Sequence, residues 1–233
     1  SLSRLSRGFE SHLRPFAAGR PLSLPGLSCV LCVFSPSDAC DLTLDPNTAR
    51  RDLCLSEDNR KVTRARELQP YPDHKDRFNL RSQVLCREGL TGRCYWEVQW
   101  SGLVSIAVTY RGITRRGYDS ELGNNKKSWS LTCHDDRYYA RHNSEDTNIS
   151  VPPRGSDRVA VYLDCSAGTL SFYRVSSDRL RLLHTFSSTF TEPLYPGFTL
   201  WTHDPSIEIR YSFISPTVMG SPLPLQSLRV ICQ

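Results

Sequence analysis

CYWEVQW, residues 94–100, places Cys94, Trp96, Val98 and Trp100 on one side of an extended chain and Tyr95, Glu97 and Gln99 on the other. Two tryptophans on one face bury their large apolar area only against a second layer of structure, so the stretch predicts a core strand with Glu97 turned to the opposite face. The period of two continues on both sides of it. Val104, Ile106, Val108 and Tyr110 alternate with Ser105, Ala107 and Thr109, and Val159, Val161 and Leu163 alternate with Ala160, Tyr162 and Asp164. In LDCSAGTLSFY (163–173) Ser-Ala-Gly separates two such runs, and Gly168 supplies the positive φ that closes a hairpin. LRLLHTF (180–186), LYPGFTLW (194–201) and SIEIRYS (206–212) extend the series. Turn signals recur about every 8–12 residues and no three-turn amphipathic helix can be drawn, which predicts an all-β antiparallel sandwich with no long helices.

Composition limits what such a sandwich can do. With 233 residues, 39% of them hydrophobic and 10% aromatic, the chain can bury a sizeable core. The net charge of +5 dissolves when divided along the chain. Residues 1–40 hold Arg4, Arg7, Arg14 and Arg20 against Glu10 and Asp38, and Arg229 stands alone after Phe213, leaving 24 basic and 22 acidic groups between. These are interspersed, so phosphate meets no continuous field and nucleic acid is not an expected partner. The apolar run Leu27–Phe34 is far shorter than the roughly 20 residues of a membrane span. Nine cysteines, an odd number at uneven spacing, read as free thiols in a reducing compartment, hence a cytoplasmic protein. The Asn148-Ile149-Ser150 sequon matters only in a secreted chain. Residues 1–40 lack a steady period and read as a poorly ordered lead-in or linker, 41–214 as the ordered body, and 215–233 as a C-terminal tail. A chain starting at Ser1 without an initiator Met is expected to be part of a longer protein.

Within the body, DLTLDPNTARRDLCLSEDNRKVTR (41–64) resembles the PRY segment, and CREGLTGRCYWEVQW, KKSWSLTC, VAVYLDCSAGTLSFYRV and FTEPLYPGF resemble successive blocks of the SPRY domain, in the family's order. The whole is similar to the PRY-SPRY, or B30.2, module, with PRY over about 41–90 and SPRY over about 91–214; the closest versions are those of fish tripartite-motif proteins, fish NOD-like receptors and the stonustoxin group. The resemblance implies a bent sandwich of two antiparallel sheets, concanavalin-like in its jelly-roll course, acting as the target-recognition end of a tripartite-motif ubiquitin ligase or a NOD-like receptor in innate immunity. It implies a protein or peptide target and no cofactor, and oligomerisation through upstream segments. Two other uses of the module are the terminal part of a stonustoxin-like pore-forming toxin and, as in butyrophilins, a sensor of a small anionic ligand. Arg115, Arg116, Lys126 and Lys127 are the basic cluster available for the last.

Carried over by motif, GYDSELGNN implies a peptide-holding loop with Tyr118 and Leu122; Trp201, followed by Thr202 and His203 in a turn, matches a pocket tryptophan. The tripartite-motif pattern after SW implies Thr132 and His134 as ligand-facing, with Tyr138 and Arg141 nearby. Catalysis finds no constellation. Cys133 and His134 are adjacent in a strand and point to opposite faces, and GNNKKS lacks the first glycine of a phosphate loop. Cys29, Cys32, Cys40 and His12 offer fewer ligand pairs than a RING or B-box uses, so no metal is expected.

Overall fold

The computed structural model describes residues 35–210 apart from 135–136, 152–155, 177–178 and 203. Within them lie thirteen strands in two sheets. The first runs β1 (Leu53–Leu55), β2 (Lys61–Arg64), β13 (Ser206–Arg210), β4 (Arg93–Ser101), β9 (Arg158–Asp164), β10 (Thr169–Ser176) and β11 (Arg179–Ser187). The second runs β3 (Gln83–Leu85), β12 (Leu194–Leu200), β5 (Val104–Tyr110), β6 (Ser128–Cys133), β7 (Tyr138–His142) and β8 (Glu145–Ile149). Every strand pair within these sheets is antiparallel. The helical structure among the described residues is two three-residue turns of 3₁₀ type, Pro36–Asp38 and Tyr118–Ser120. The all-β sandwich read from the periodicity is the fold observed.

The strand CYWEVQW lies at the centre of the first sheet, with Trp96 opposite Val161 of β9 and Val98 opposite Ile209 of β13. Its inward residues Cys94, Trp96, Val98 and Trp100 join Ile106, Val108, Trp129, Leu131, Phe172 and Phe198 in one core between the sheets, and Trp96 has no exposed surface. Gly168 has φ 67° in the β9–β10 hairpin, where a Cβ would also collide with the Ser188 carbonyl oxygen.

Three features depart from the sequence reading. The outward residues of the second sheet are not solvated: Ser105, Ala107, Thr109, Ser128, Ser130, Thr132 and Thr199 are all buried. The segments flanking Phe78 and running from Ile113 to Leu122 lie across them, and Phe78, Leu85, Ala107, Ile113 and Leu122 form a small second core on that side. The outer face of β4 is also partly covered, since Tyr95 is buried and donates to Glu97 Oε1 at 2.8 Å. Burial and then the Glu97 carboxylate drive the Tyr95 phenol far above its usual range.

The third concerns the cysteines. Ala39 bridges to Tyr95, the Cys40 amide donates to the Tyr95 carbonyl at 3.0 Å, and Cys40 and Cys94, 54 residues apart, form a disulfide with Cα atoms 5.6 Å apart. The expectation of free thiols throughout is thereby corrected. A short parallel β-bridge from Ala39 to Tyr95 of β4 brings the two together, and sequence spacing does not reveal it. Cys54, Cys86, Cys133 and Cys165 are free, while Cys29, Cys32 and Cys232 lie outside the described residues.

Trp96 is fully buried in the core between the sheets, and its removal opens a cavity there. Trp96→Ala is expected to lower stability by about 3–5 kcal/mol, read as the shift of the denaturant midpoint; an unchanged midpoint would contradict its place in the core.

Candidate partner-binding surface

The buried hydroxyl and amide groups on the outer face of the second sheet fasten a loop. Gln83 of β3 is fully buried: its Nε2 donates to the Ser120 carbonyl at 2.8 Å, and its Oε1 accepts from the Leu122 amide at 2.9 Å and from Thr199 Oγ1 at 3.2 Å. Ser128 Oγ accepts from the Gly123 amide at 2.8 Å, and Asn125 Nδ2 donates to the carbonyls of Asp119 and Glu121, both at 2.9 Å. Gly123 takes φ 90° over Ser130 Oγ, where any Cβ would collide. Segment 117–125 is thus held at several points before any ligand arrives.

Tyr118 projects from this tethered loop with 72% of its surface exposed. The Arg81 guanidinium lies 5.7 Å from the centre of its ring and 5.6 Å from that of Trp201, so one cation joins two aromatic side chains from distant parts of the chain. Arg81 Nε donates to Glu121 Oε2 at 2.9 Å, and the other oxygen of Glu121 takes Arg141 Nη1 at 3.1 Å. Arg141 in turn grips Asp146 through two hydrogen bonds of 2.5 and 2.8 Å, which hold the Asp146 carboxyl below its usual range and raise the arginine. Glu121 is a buried carboxylate whose two oxygens are each matched to a guanidinium, the arrangement in which burying charge is tolerable.

Trp201 follows the end of β12 and is half-buried. Its Nε1 donates to Ser105 Oγ at 2.9 Å, Ser105 Oγ lies 2.8 Å from Thr132 Oγ1, and Arg64 Nη1 donates to the Trp201 and Thr202 carbonyls at 3.0 and 3.2 Å. The indole is fixed at one edge while a face remains open to Arg81 and solvent.

Of the residues singled out in the sequence, Tyr118, Arg141 and Trp201 come together, and Thr202 is exposed beside them. Leu122, Thr132 and Tyr138 do not face a partner. Leu122 fills the second core, Thr132 lies beneath the indole as a hydroxyl partner of Ser105, and Tyr138 points between the sheets against Trp100. Motif marks Leu122 and Thr132, and nearness to them marks Tyr138; none of these signals reports what the folded chain lays over a side chain. His134 is half-buried in the turn after β6, and His203 lies outside the described residues. Arg81, Gln83 and Glu121 were missed. They meet their partners across 20 to 120 residues of sequence, and no local pattern marks them.

The basic cluster is largely structural. Arg115 is buried over the Phe78 ring and donates to the carbonyls of Asp76, Ile113 and Arg111, while Lys127 Nζ donates to the Gly112 carbonyl. Cys133 has no exposed surface and burial pushes its thiol well up, so it is no nucleophile. Among the described residues no helix is long and apolar enough to cross a membrane, and no three His, Cys, Asp or Glu side chains are placed to hold a metal.

The sandwich thus carries a loop tethered to its second sheet and topped by an exposed tyrosine. Residues 42–90 match the SPRY-associated domain (PRY) and residues 93–209 match the SPRY domain, and the chain belongs to the PRY-SPRY family. It is 45% identical over 164 residues to stonustoxin subunit beta of Synanceia horrida, an alignment covering 69% of this chain and 23% of that protein. To tripartite motif-containing protein 16 of Mus musculus it is 39% identical over 176 residues, covering 73% of this chain and 31% of the other. The chain therefore spans between about a quarter and a third of these relatives. Among solved structures, that of stonustoxin superposes with a TM-score of 0.70 at 38% identity over 74% of this chain and 29% of its own. The TRIM65 PSpry domain gives 0.67 at 29% identity over 76% and 93%.

Gln83 generates the prediction here. Gln83→Leu strips two buried carbonyl and amide partners from the loop, so stability is expected to fall by about 2 kcal/mol and the Leu122 amide to exchange its hydrogen faster. Unchanged exchange at Leu122 would show that the loop is held by other means.

Proposed function

We propose that this chain is the target-recognition module of a larger protein, binding a protein or peptide through the surface built by Tyr118, Arg81, Trp201 and Arg141 without bond chemistry. The observation that carries the reading is the exposed Tyr118 ring beside a half-open Trp201, both joined to Arg81 over a loop fixed by Gln83 and Glu121. Aromatic and arginine side chains held rigid lose little entropy on binding and are the residue types that dominate interface energies. In this reading the larger protein is a tripartite-motif-type ubiquitin ligase or a NOD-like receptor acting in the cytoplasm in innate immunity, and the similarity to tripartite-motif proteins supports the first of these. A partner surface of about 800 Å² suits a site of this kind. The butyrophilin-like use of the Arg115 cluster loses its support, because Arg115 is committed to main-chain carbonyls.

A second reading is favoured by two observations. The Cys40–Cys94 disulfide suits an oxidising compartment, and the similarity to stonustoxin subunit beta is strong. In that reading the module belongs to an exported, toxin-like protein, and Asn148, exposed on β8, is available to carry a glycan.

Peptides selected from a display library by the wild-type chain test the first reading. Tyr118→Ala and Trp201→Ala are each expected to weaken them by about 2 kcal/mol, near 30-fold, with the melting temperature of Tyr118→Ala unchanged; equal affinity for both variants would move the site elsewhere. The compartment is decided by peptide mapping, without reduction, of protein taken from its native source. A linked Cys40–Cys94 peptide pair with glycosylated Asn148 is the outcome expected of an exported protein, and two free thiols with bare Asn148 that of a cytoplasmic one.

A further inference from the structure

Beside the Trp201 turn lies a cavity of about 570 Å³ lined by Arg50, Asp52, Arg64, Ala65 and Arg66, which the recognition surface described above does not use. Its charges do not balance. Asp52, with 7% of its surface exposed, directs a single oxygen, Oδ2, at Arg50 Nη1 (2.7 Å), Arg64 Nε (3.1 Å) and Ser82 Oγ (2.6 Å), while its Oδ1 is buried without a partner. One carboxylate thus serves two guanidinium groups, and Arg66 brings a third.

The two inner arginines are immobilised. Arg50 also donates from Nε to the Asn79 carbonyl at 3.2 Å, and Arg64 from Nη1 to the carbonyls of Trp201 and Thr202. Among the described residues, these bonds leave Nη2 of Arg50 and Nη2 of Arg64 without an acceptor, and the exposed Arg66 guanidinium has no ion pair or hydrogen bond. Planar guanidinium groups already ordered by a buried carboxylate present paired donors to an oxyanion with little further loss of side-chain freedom.

We propose that this cavity is an anion subsite, in which Arg50, Arg64 and Arg66 receive the oxyanion of an acidic or phosphorylated side chain of the target. The inference rests on the recognition reading for its biological use, because Arg64 ties the cavity to the backbone of Trp201 and Ser82 adjoins Arg81. An extended target segment would place its apolar residue at Tyr118 and Trp201 and its anionic residue here.

The anion site is tested without the target. The isotope-labelled chain is titrated with two probes, a capped Gly-phosphoserine-Gly peptide and the matching Gly-Glu-Gly peptide, while the arginine Nε–Hε signals are followed by NMR. Saturable shifts at Arg50, Arg64 and Arg66 with a dissociation constant on the order of 1 mM are expected. Arg66→Gln, at an exposed position, should weaken them about tenfold, and Arg50→Gln likewise. Tyr118→Ala should leave them unchanged. Preference for the phosphopeptide assigns a phosphorylated target, and equal binding of both probes assigns a carboxylate. Shifts that fail to saturate, that appear at other arginines, or that survive intact in both glutamine variants overturn the proposal. Failure here with the Tyr118 and Trp201 effects preserved removes the anion subsite alone; the reverse result removes the aromatic recognition surface alone.

Discussion

The outer face of the second sheet is the constraint on which the binding surface depends. Strands there alternate apolar side chains, which enter the core, with Ser105, Thr109, Ser128, Ser130, Thr132 and Thr199, which do not. A sheet face lined with hydroxyls is indifferent to water when bare. When a loop covers it, each hydroxyl must find a partner or cost about 1–3 kcal/mol. Here the partners are the loop itself and the indole of Trp201, bound through Ser128, Gln83 and Ser105. The loop is therefore fixed by polar bonds whose loss would leave buried groups unsatisfied, a stricter tether than apolar contact.

Electrostatics continue the same logic. Glu121 is buried and neutralised by Arg81 and Arg141, each of which also touches an exposed or half-exposed group: Arg81 the rings of Tyr118 and Trp201, Arg141 the ring of Tyr139 and the carboxylate of Asp146. Surface ion pairs of the ordinary kind contribute little. A carboxylate held away from water with both oxygens engaged is different, because losing either arginine strands a buried charge. Rigidity at the surface thus originates beneath it, and a preorganised surface binds with less loss of freedom.

The disulfide ties the residue range just before PRY to β4 of SPRY, and the cavity beside Trp201 is lined by PRY residues. Cys40 fastens the approach to β4, and Arg64 at the end of β2 fastens the turn after β12. The PRY segment therefore does more than complete a sheet edge: it supplies side chains that fix the position of a tryptophan contributed by the last third of the sequence.

By itself the sequence determined the all-β sandwich, the inward set of CYWEVQW and the hairpin at Gly168, because a period of two and a positive-φ glycine are local properties of the backbone; the family was legible separately, in the resemblance of successive blocks to PRY and SPRY. Short motifs mark Tyr118 and Trp201, and Arg141 is marked only as a neighbour of His134. Tertiary structure alone decided which outward faces would be covered, and so buried Leu122 and Thr132 and, by parity along β7, turned Tyr138 inward. It alone brought Arg81 to Trp201, Gln83 to Leu122 and Cys40 to Cys94. Those partners lie tens of residues or more apart, and alternation along a strand specifies a side chain's direction without specifying what the folded chain will lay against it.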